Sequence, residues 1–184
     1  MNVDGSSRGN SSLAGGEGIC RGDKGQFICA CSSGYGIGSN SYAELRAVYE
    51  GLLLVLSLGF HHIILESDSL QVVKMLNGIS QVSWKWKFWL GRILLLKSRG
   101  RIEFAHIFRE GNTPADAFAC LGSESQSSAS LDRLCDLPPR IHCLLFLDKA
   151  GLGLIRNLAR QWFRFLRFVW HLQLCIFFSH DRSP

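Results

Sequence analysis

The order of the apolar segments constrains the fold of this chain more than any other feature of its sequence. The chain begins with three short strand-like segments, at residues 1–5, 14–21 and 26–33, and a helical segment then starts at Ser39-Asn40-Ser41. After this helix come a strand at 61–67, helices at 69–76 and 84–97, a strand at 102–108 and a helix that begins at Thr113-Pro114. Three hairpin-type strands followed by strand–helix alternation predict an α/β fold, a five-stranded mixed sheet flanked by helices.

Some local patterns make narrower predictions. Gly34, Gly36 and Gly38 indicate a loop before the first helix. The strand at 61–67 carries Ile and Leu at successive positions, which predicts burial on both faces. Residues 84–89 (WKWKFW) have two interpretations: they contact a nucleic acid backbone, or they form an amphipathic helix that packs its Trp side chains inward.

Composition excludes several classes of protein. Of the 184 residues 47% are hydrophobic, which excludes an intrinsically disordered chain. The net charge of +5 is compatible with a nucleic acid partner. Seven Cys residues without even spacing, and the lack of a recognisable leader, predict a reducing compartment, nuclear or cytoplasmic. No run of 18 uncharged apolar residues occurs, so we expect no membrane span.

The types of residue along the sequence change after residue 122, where a polar segment begins. We predict one folded domain over residues 1–122, a linker and tail over 123–157, and an aromatic and basic extension over 158–184 that is poorly defined. Three states remain open for this extension: an amphipathic surface helix, a helix docked on the domain, or a segment that does not fold well.

Four acidic residues each have a simple structural explanation when taken alone. Asp4 suits a turn at the end of the first strand. Glu44 lies three residues after Ser41, the capping-box spacing. Asp68 suits a helix N-cap, and Asp116 lies in a first helical turn, where acids are favoured.

Taken together, the four acids predict a metal site. If the first and fourth strands are parallel neighbours, Asp4 and Asp68 lie at the same edge of the sheet, within reach of Glu44 and Asp116 from their helix starts. Glu44 also lies on the apolar stripe of its helix, where a bare carboxylate is costly. Crowded carboxylates repel one another unless cations lie among them, and hard ions such as Mg²⁺ or Mn²⁺ prefer oxygen ligands.

The same residues carry a resemblance to a known family. Residues 2–10 (NVDGSSRGN), 43–47 (AELRA), 65–69 (LESDS) and 106–117 (HIFREGNTPADA) resemble, in order and spacing, type 1 ribonuclease H, particularly the plant domains related to non-LTR retroelement reverse transcriptases. The agreement covers about residues 2–122, and the segment after it resembles the tail of many plant members.

The resemblance implies a ribonuclease H-like fold and hydrolysis of the RNA strand of an RNA–DNA hybrid. It implies that Asp4, Glu44, Asp68 and Asp116 hold two Mg²⁺ ions, with Mn²⁺ as a substitute. It places His106 in proton transfer or product release, with a strand-end His bonded to backbone as the alternative. Asn10 and Asn40 match positions near the nucleic acid. We expect a monomer without membrane association.

Departures from the family keep two other functions open. The loop at residues 10–15 (NSSLAG) lacks two Pro residues of the family pattern. The residues that precede the NVDG segment in most plant members are missing here, so the first strand is truncated relative to the family. A catalytically inactive, retroelement-derived nucleic-acid-binding remnant is therefore one alternative. An interaction module that acts through the aromatic extension is the other.

Overall fold

The structure of the protein is a computed structural model that describes residues 1–7, 9, 11–112, 115, 118 and 126–149. Its strands are β1 (Asn2–Ser7), β2 (Ser12–Arg21), β3 (Phe27–Gly38), β4 (His62–Ser67), β5 (Arg101–His106) and β6 (Ala129–Leu131). Its helices are α1 (Asn40–Ser57), α2 (Leu70–Leu76), α3 (Trp84–Lys97) and α4 (Pro139–Lys149), with short 3₁₀ turns at Arg109–Asn112 and Leu134–Asp136.

The strands form one mixed sheet in the order β5-β4-β1-β2-β3-β6. β1 is parallel to β4, β4 is parallel to β5, and the remaining neighbours are antiparallel. The predicted neighbourhood of β1 and β4 is confirmed, with Val3 opposite Ser67. This register brings Asp4 and Asp68 to the same level of the sheet.

The sheet has six described strands instead of the five predicted. The sixth, β6, pairs its three residues with Ala30, Cys31 and Ser32 of β3. It falls in the segment predicted to be a linker and tail. The sequence did not predict this strand, because three residues are too few to show the alternation of a strand.

Helix α1 crosses the sheet and supplies much of the main core. Its buried residues Leu45, Val48, Leu52 and Val55 recur at helical spacing and pack against buried side chains of the sheet, such as Leu65. The helix ends with Leu58 as its C-cap and Gly59 in the left-handed region at φ +84°, a conformation that glycine adopts readily.

Gly5 allows α1 to approach β1 closely. A Cβ atom at this position would lie 2.2 Å from the carbonyl carbon of Ala43 and 2.2 Å from the amide nitrogen of Glu44. Because both are backbone atoms, no side chain can move aside to make room. The glycine therefore fixes the distance between β1 and the start of α1.

Two predictions about the glycine-rich segments were wrong. β1 does not end in a turn at Asp4 but continues to Ser7, and Gly5 is required by the helix above it, not by a turn. Gly34, Gly36 and Gly38 do not form a loop but belong to β3, which pairs with β2 as far as Ser12. The register shift between Ala14 and Gly15 accommodates these glycines as a bulge-like irregularity.

The predicted burial of β4 on both faces was also wrong. Ile63 and Leu65 are buried beneath the helices, whereas Ile64 is 56% exposed on the opposite face. An apolar run does not by itself say how many faces of a strand are covered.

Some aromatic side chains of helix α3 pack against the core and others are exposed to solvent. Trp86 and Trp89 pack against the main core, as the amphipathic interpretation requires. Trp84 and Phe88 are exposed, so that interpretation accounts for only part of the helix.

Helix α4 packs against the face of the sheet opposite α1. Ile141 and Leu145 of α4 form a buried cluster with Ile19, Ala30 and Phe118. The linker and tail over 123–157 remain a prediction, and the extension over 158–184 lies outside the described residues. Among the described helices, none is both long and apolar enough to cross a membrane.

We predict that Gly5→Ala destabilises the fold by about 1–3 kcal/mol or more, because α1 must move away from β1. Chemical denaturation measures this. Gly91→Ala on α3 is the matched control, since nothing lies within 4 Å of its new Cβ. The control is expected to be neutral or to stabilise by up to about 1 kcal/mol. Equal effects of the two substitutions would contradict the close-contact argument.

Candidate active site

Three acidic side chains converge from three different elements. Asp4 lies in the middle of β1 and is 2% exposed. Glu44 projects from α1, and Asp68 directly follows β4. Ligand oxygens of the three carboxylates all lie within 4.8 Å of one another. The predicted meeting of these three acids is therefore what the structure shows.

The structural explanations for Glu44 and Asp68 taken alone do not hold. The N-cap of α1 is Ser39, whose Oγ accepts from the Tyr42 amide at 3.3 Å, so Glu44 is not part of a capping box with Ser41. The N-cap of α2 is Ser69, not Asp68. Neither carboxylate caps its helix, and both face the acid cluster instead.

The electrostatics of Glu44 reflect this crowding. Burial, followed by the charges of Asp4 and Asp68, raises the pKa of Glu44 well above its ordinary value. A hydrogen bond from the Gly5 amide and the positive charge of Arg109 act in the opposite direction on this pKa. Oε2 of Glu44 is buried and has no hydrogen-bond partner among the described residues. A divalent cation would supply both the missing partner and the missing charge.

Two further residues of the site were not predicted. Nε of Arg109 lies 3.4 Å from Oδ2 of Asp68. Asn112 is fully buried, and its Nδ2 donates to the Val3 carbonyl at 3.0 Å, which ties the turn after β5 to β1 beside Asp4. Both fall within the segment 106–117 that carries the family resemblance, and this was the signal that could have found them.

The remaining predicted residues lie around the cluster or outside the described part of the chain. His106 ends β5, is exposed, and lies opposite Ser67 in the register, at the same edge of the sheet as Asp68. Asn40 is the first residue of α1, and its Oδ1 accepts from the Ser7 amide at 2.9 Å. Asp116 and Asn10 lie outside the described residues.

Comparison with known proteins identifies the family. A family model described as reverse transcriptase-like matches residues 2–122. The chain belongs to this reverse transcriptase-like family. Members of the family have a ribonuclease H-like domain, and the mixed sheet with its flanking helices is the ribonuclease H-like fold. The matched residues are those over which the sequence resemblance extends.

Individual relatives agree with the family assignment. A protein of Arabidopsis thaliana, named provisionally as a ribonuclease H protein, is 33% identical over 123 residues. That match covers 65% of this chain, and the chain spans only 19% of the length of the relative. The ribonuclease H1 of Halobacterium salinarum is similar in structure, with a TM-score of 0.65 and 26% identity over 67% of this chain and 96% of that one.

A second solved structure gives the same result. The N-terminal ribonuclease H domain of a Mycobacterium tuberculosis protein, solved as a fusion with maltose-binding protein, has a TM-score of 0.65 and 26% identity. The similarity covers 67% of this chain and 91% of that one. The part of this chain that matches therefore corresponds to nearly the whole length of each of the two solved ribonuclease H structures.

We predict that the effect of Glu44→Gln on the free energy of unfolding depends on divalent ions. Without ions at pH 7, the substitution is expected to raise the free energy of unfolding, since burial and the charges of Asp4 and Asp68 raise the pKa of Glu44 and make its ionised form costly in the folded chain. The gain should disappear below about pH 4, where Glu44 is protonated in the folded and the unfolded chain. Denaturation in EDTA at both pH values measures it.

Mg²⁺ should shift this difference in stability toward wild type. At ten times the dissociation constant, the ion is expected to stabilise the wild-type chain by about 1.4 kcal/mol and the variant by much less. Glu103→Gln, an exposed residue of β5, is the matched control and should change neither value. A Glu44→Gln variant that is destabilised in EDTA would contradict the crowding argument.

Proposed function

We propose that this chain is a divalent-metal-dependent endonuclease that hydrolyses the RNA strand of RNA–DNA hybrids. The observation that carries the proposal is the convergence of Asp4, Glu44 and Asp68 within 4.8 Å at one edge of a ribonuclease H-like sheet. The two structural relatives at 26% identity are both named as ribonuclease H proteins, which supports the same reaction here.

The donor set fits magnesium. All three clustered side chains offer carboxylate oxygens, the ligands that Mg²⁺ and Mn²⁺ prefer, and the buried Oε2 of Glu44 lacks a protein partner among the described residues. Asp4, Glu44 and Asp68 would hold the ions, joined by Asp116 as the resemblance implies. The chemistry that two such ions supply when bound is activation of a water molecule and stabilisation of charge on the leaving 3′ oxygen.

The residues of the chain have distinct tasks in this proposal. Asp4 is held rigidly because it lies within β1, where it is opposite Glu17 of β2 and directly follows the residue paired with β4. Glu44 is held by α1, whose start is fixed against β1 at Gly5. His106, exposed at the adjoining strand end, assists proton transfer or product release. Asn40, at the exposed start of α1, and Asn10 contact the nucleic acid.

The proposed substrate is defined by its shape and its 2′-hydroxyl groups. Enzymes that act on duplexes containing RNA recognise these features and the phosphates, with little readout of the base sequence. We therefore expect cleavage at many positions along a hybrid.

The decisive test is cleavage of an end-labelled RNA–DNA hybrid by the purified chain in Mg²⁺, with Asp68→Asn in parallel. Wild-type protein is expected to cut the RNA strand only. The loss of one carboxylate ligand is expected to lower the rate at least ~100-fold, because the charge and geometry of the metal site change. Denaturing gels resolve the products.

Asp23→Asn is the matched control, because Asp23 is exposed in the turn between β2 and β3, away from the acid cluster. It should cleave at the wild-type rate. A well-folded wild-type chain that binds the hybrid without cutting it would contradict the proposal and would identify a binding remnant. Equal cleavage by wild type and Asp68→Asn would place the reaction elsewhere or in a contaminant.

A further inference from the structure

Arg109 places a positive charge on the solvent side of the acid cluster. Its Nε lies 3.4 Å from Oδ2 of Asp68. The Arg109 side chain is 61% exposed, whereas that of Asp68 is only 10% exposed. The guanidinium therefore lies where a ligand approaching Asp68 from solvent would meet it.

The base of this side chain is held in place while its tip is exposed. Arg109 begins the 3₁₀ turn Arg109–Asn112, in which the Gly111 amide donates to the Phe108 carbonyl at 2.9 Å. At the other end of the turn, buried Asn112 donates to the Val3 carbonyl, next to Asp4. The turn is thus attached to the strand that carries Asp4, and the long Arg side chain can change partners without moving the turn.

The pairing with Asp68 is suited to exchange. Because the Arg109 side chain is 61% exposed, water and salt screen the attraction between the two charges and weaken the pair. A divalent cation at the carboxylates would compete with Arg109 for Asp68 and repel the guanidinium. A phosphate diester would attract it, because guanidinium binds phosphate oxygens with two parallel hydrogen bonds.

We propose that Arg109 is a substrate-binding residue that exchanges partners: it pairs with Asp68 while the acid cluster holds no divalent ion, and binds a backbone phosphate of the nucleic acid once ions are present. The proposal rests on the proposed function. In the free protein the Arg109 guanidinium competes with the ions for Asp68, and in the complex it binds the substrate. Removal of Arg109 must therefore affect the two ligands in opposite directions.

The first measurement is calorimetric titration of Mg²⁺ into the protein without nucleic acid. Arg109→Gln is expected to bind Mg²⁺ about 3–10-fold more tightly than wild type, because a competing positive charge is lost. The matched control is Arg101→Gln, at the opposite end of β5, where an exposed Arg pairs with Glu103. The control should leave Mg²⁺ affinity unchanged.

The second measurement is binding of a fluorescent RNA–DNA hybrid, followed by anisotropy with Ca²⁺ in place of Mg²⁺, under conditions where gels show the hybrid intact. Arg109→Gln is expected to weaken binding about 5–30-fold and to lower the slope of log affinity against log salt by about 1. Arg109→Lys should retain the slope while losing part of the affinity, since it keeps the charge without the two-pronged geometry.

The outcomes separate this inference from the function on which it rests. If wild type cleaves the hybrid and Arg109→Gln binds it with unchanged affinity and salt slope, the partner exchange is wrong and the nuclease proposal stands. If Arg109→Gln weakens the binding of both Mg²⁺ and hybrid, Arg109 only supports the site structurally and the exchange is again wrong. If wild type neither cleaves nor binds the hybrid, both proposals fall.

Discussion

The close contact between β1 and the start of α1 is the constraint on which the rest of the site depends. At Gly5 the two backbones are so near that a single added carbon has no space. This contact sets Glu44 at the level of Asp4, and the parallel register of β1 and β4 then adds Asp68. The positions of all three carboxylates follow from main-chain packing, which is more rigid than a contact between side chains.

As a consequence, the fold itself holds the carboxylates of Asp4, Glu44 and Asp68 close enough to repel one another. The fold holds three carboxylates together although burial and the charges of Asp4 and Asp68 raise the pKa of Glu44 and disfavour its ionised form. The core beneath α1, with Leu52 and Val55 fully buried, provides the stabilisation that offsets this cost. For a cation, such an arrangement would lower the cost of binding, since the three clustered carboxylates are already close together.

Much of this architecture could be predicted from the sequence, because strand adjacency and helix spacing are local or nearly local patterns. The meeting of Asp4, Glu44 and Asp68 followed from the order of elements together with their order in the family. The capping of α1 did not follow: Ser39 and Ser41 are both capable caps, and the spacing from Ser41 to Glu44 matches a capping box by coincidence.

Arg109 and Asn112 were missed for a different reason. Their contacts, with Asp68 and with the Val3 carbonyl, join parts of the chain that are distant in sequence, and no periodicity reports them. The strand β6 was missed because three residues carry too little pattern. Composition could identify neither the contacts of Arg109 and Asn112 nor the strand β6, since these features depend on which elements lie side by side in the folded chain.

The short strand β6 has a consequence for how the chain behaves among its own copies. β3 is twelve residues long, and without β6 its outer edge would offer Ala30–Ser32 as unpaired main-chain donors and acceptors. Open edges of this kind recruit strands from other molecules and seed aggregates. The family-matched region ends at residue 122, before β6 begins, so a protein trimmed to that boundary would keep Asp4, Glu44 and Asp68 and leave Ala30–Ser32 open to pairing with another molecule.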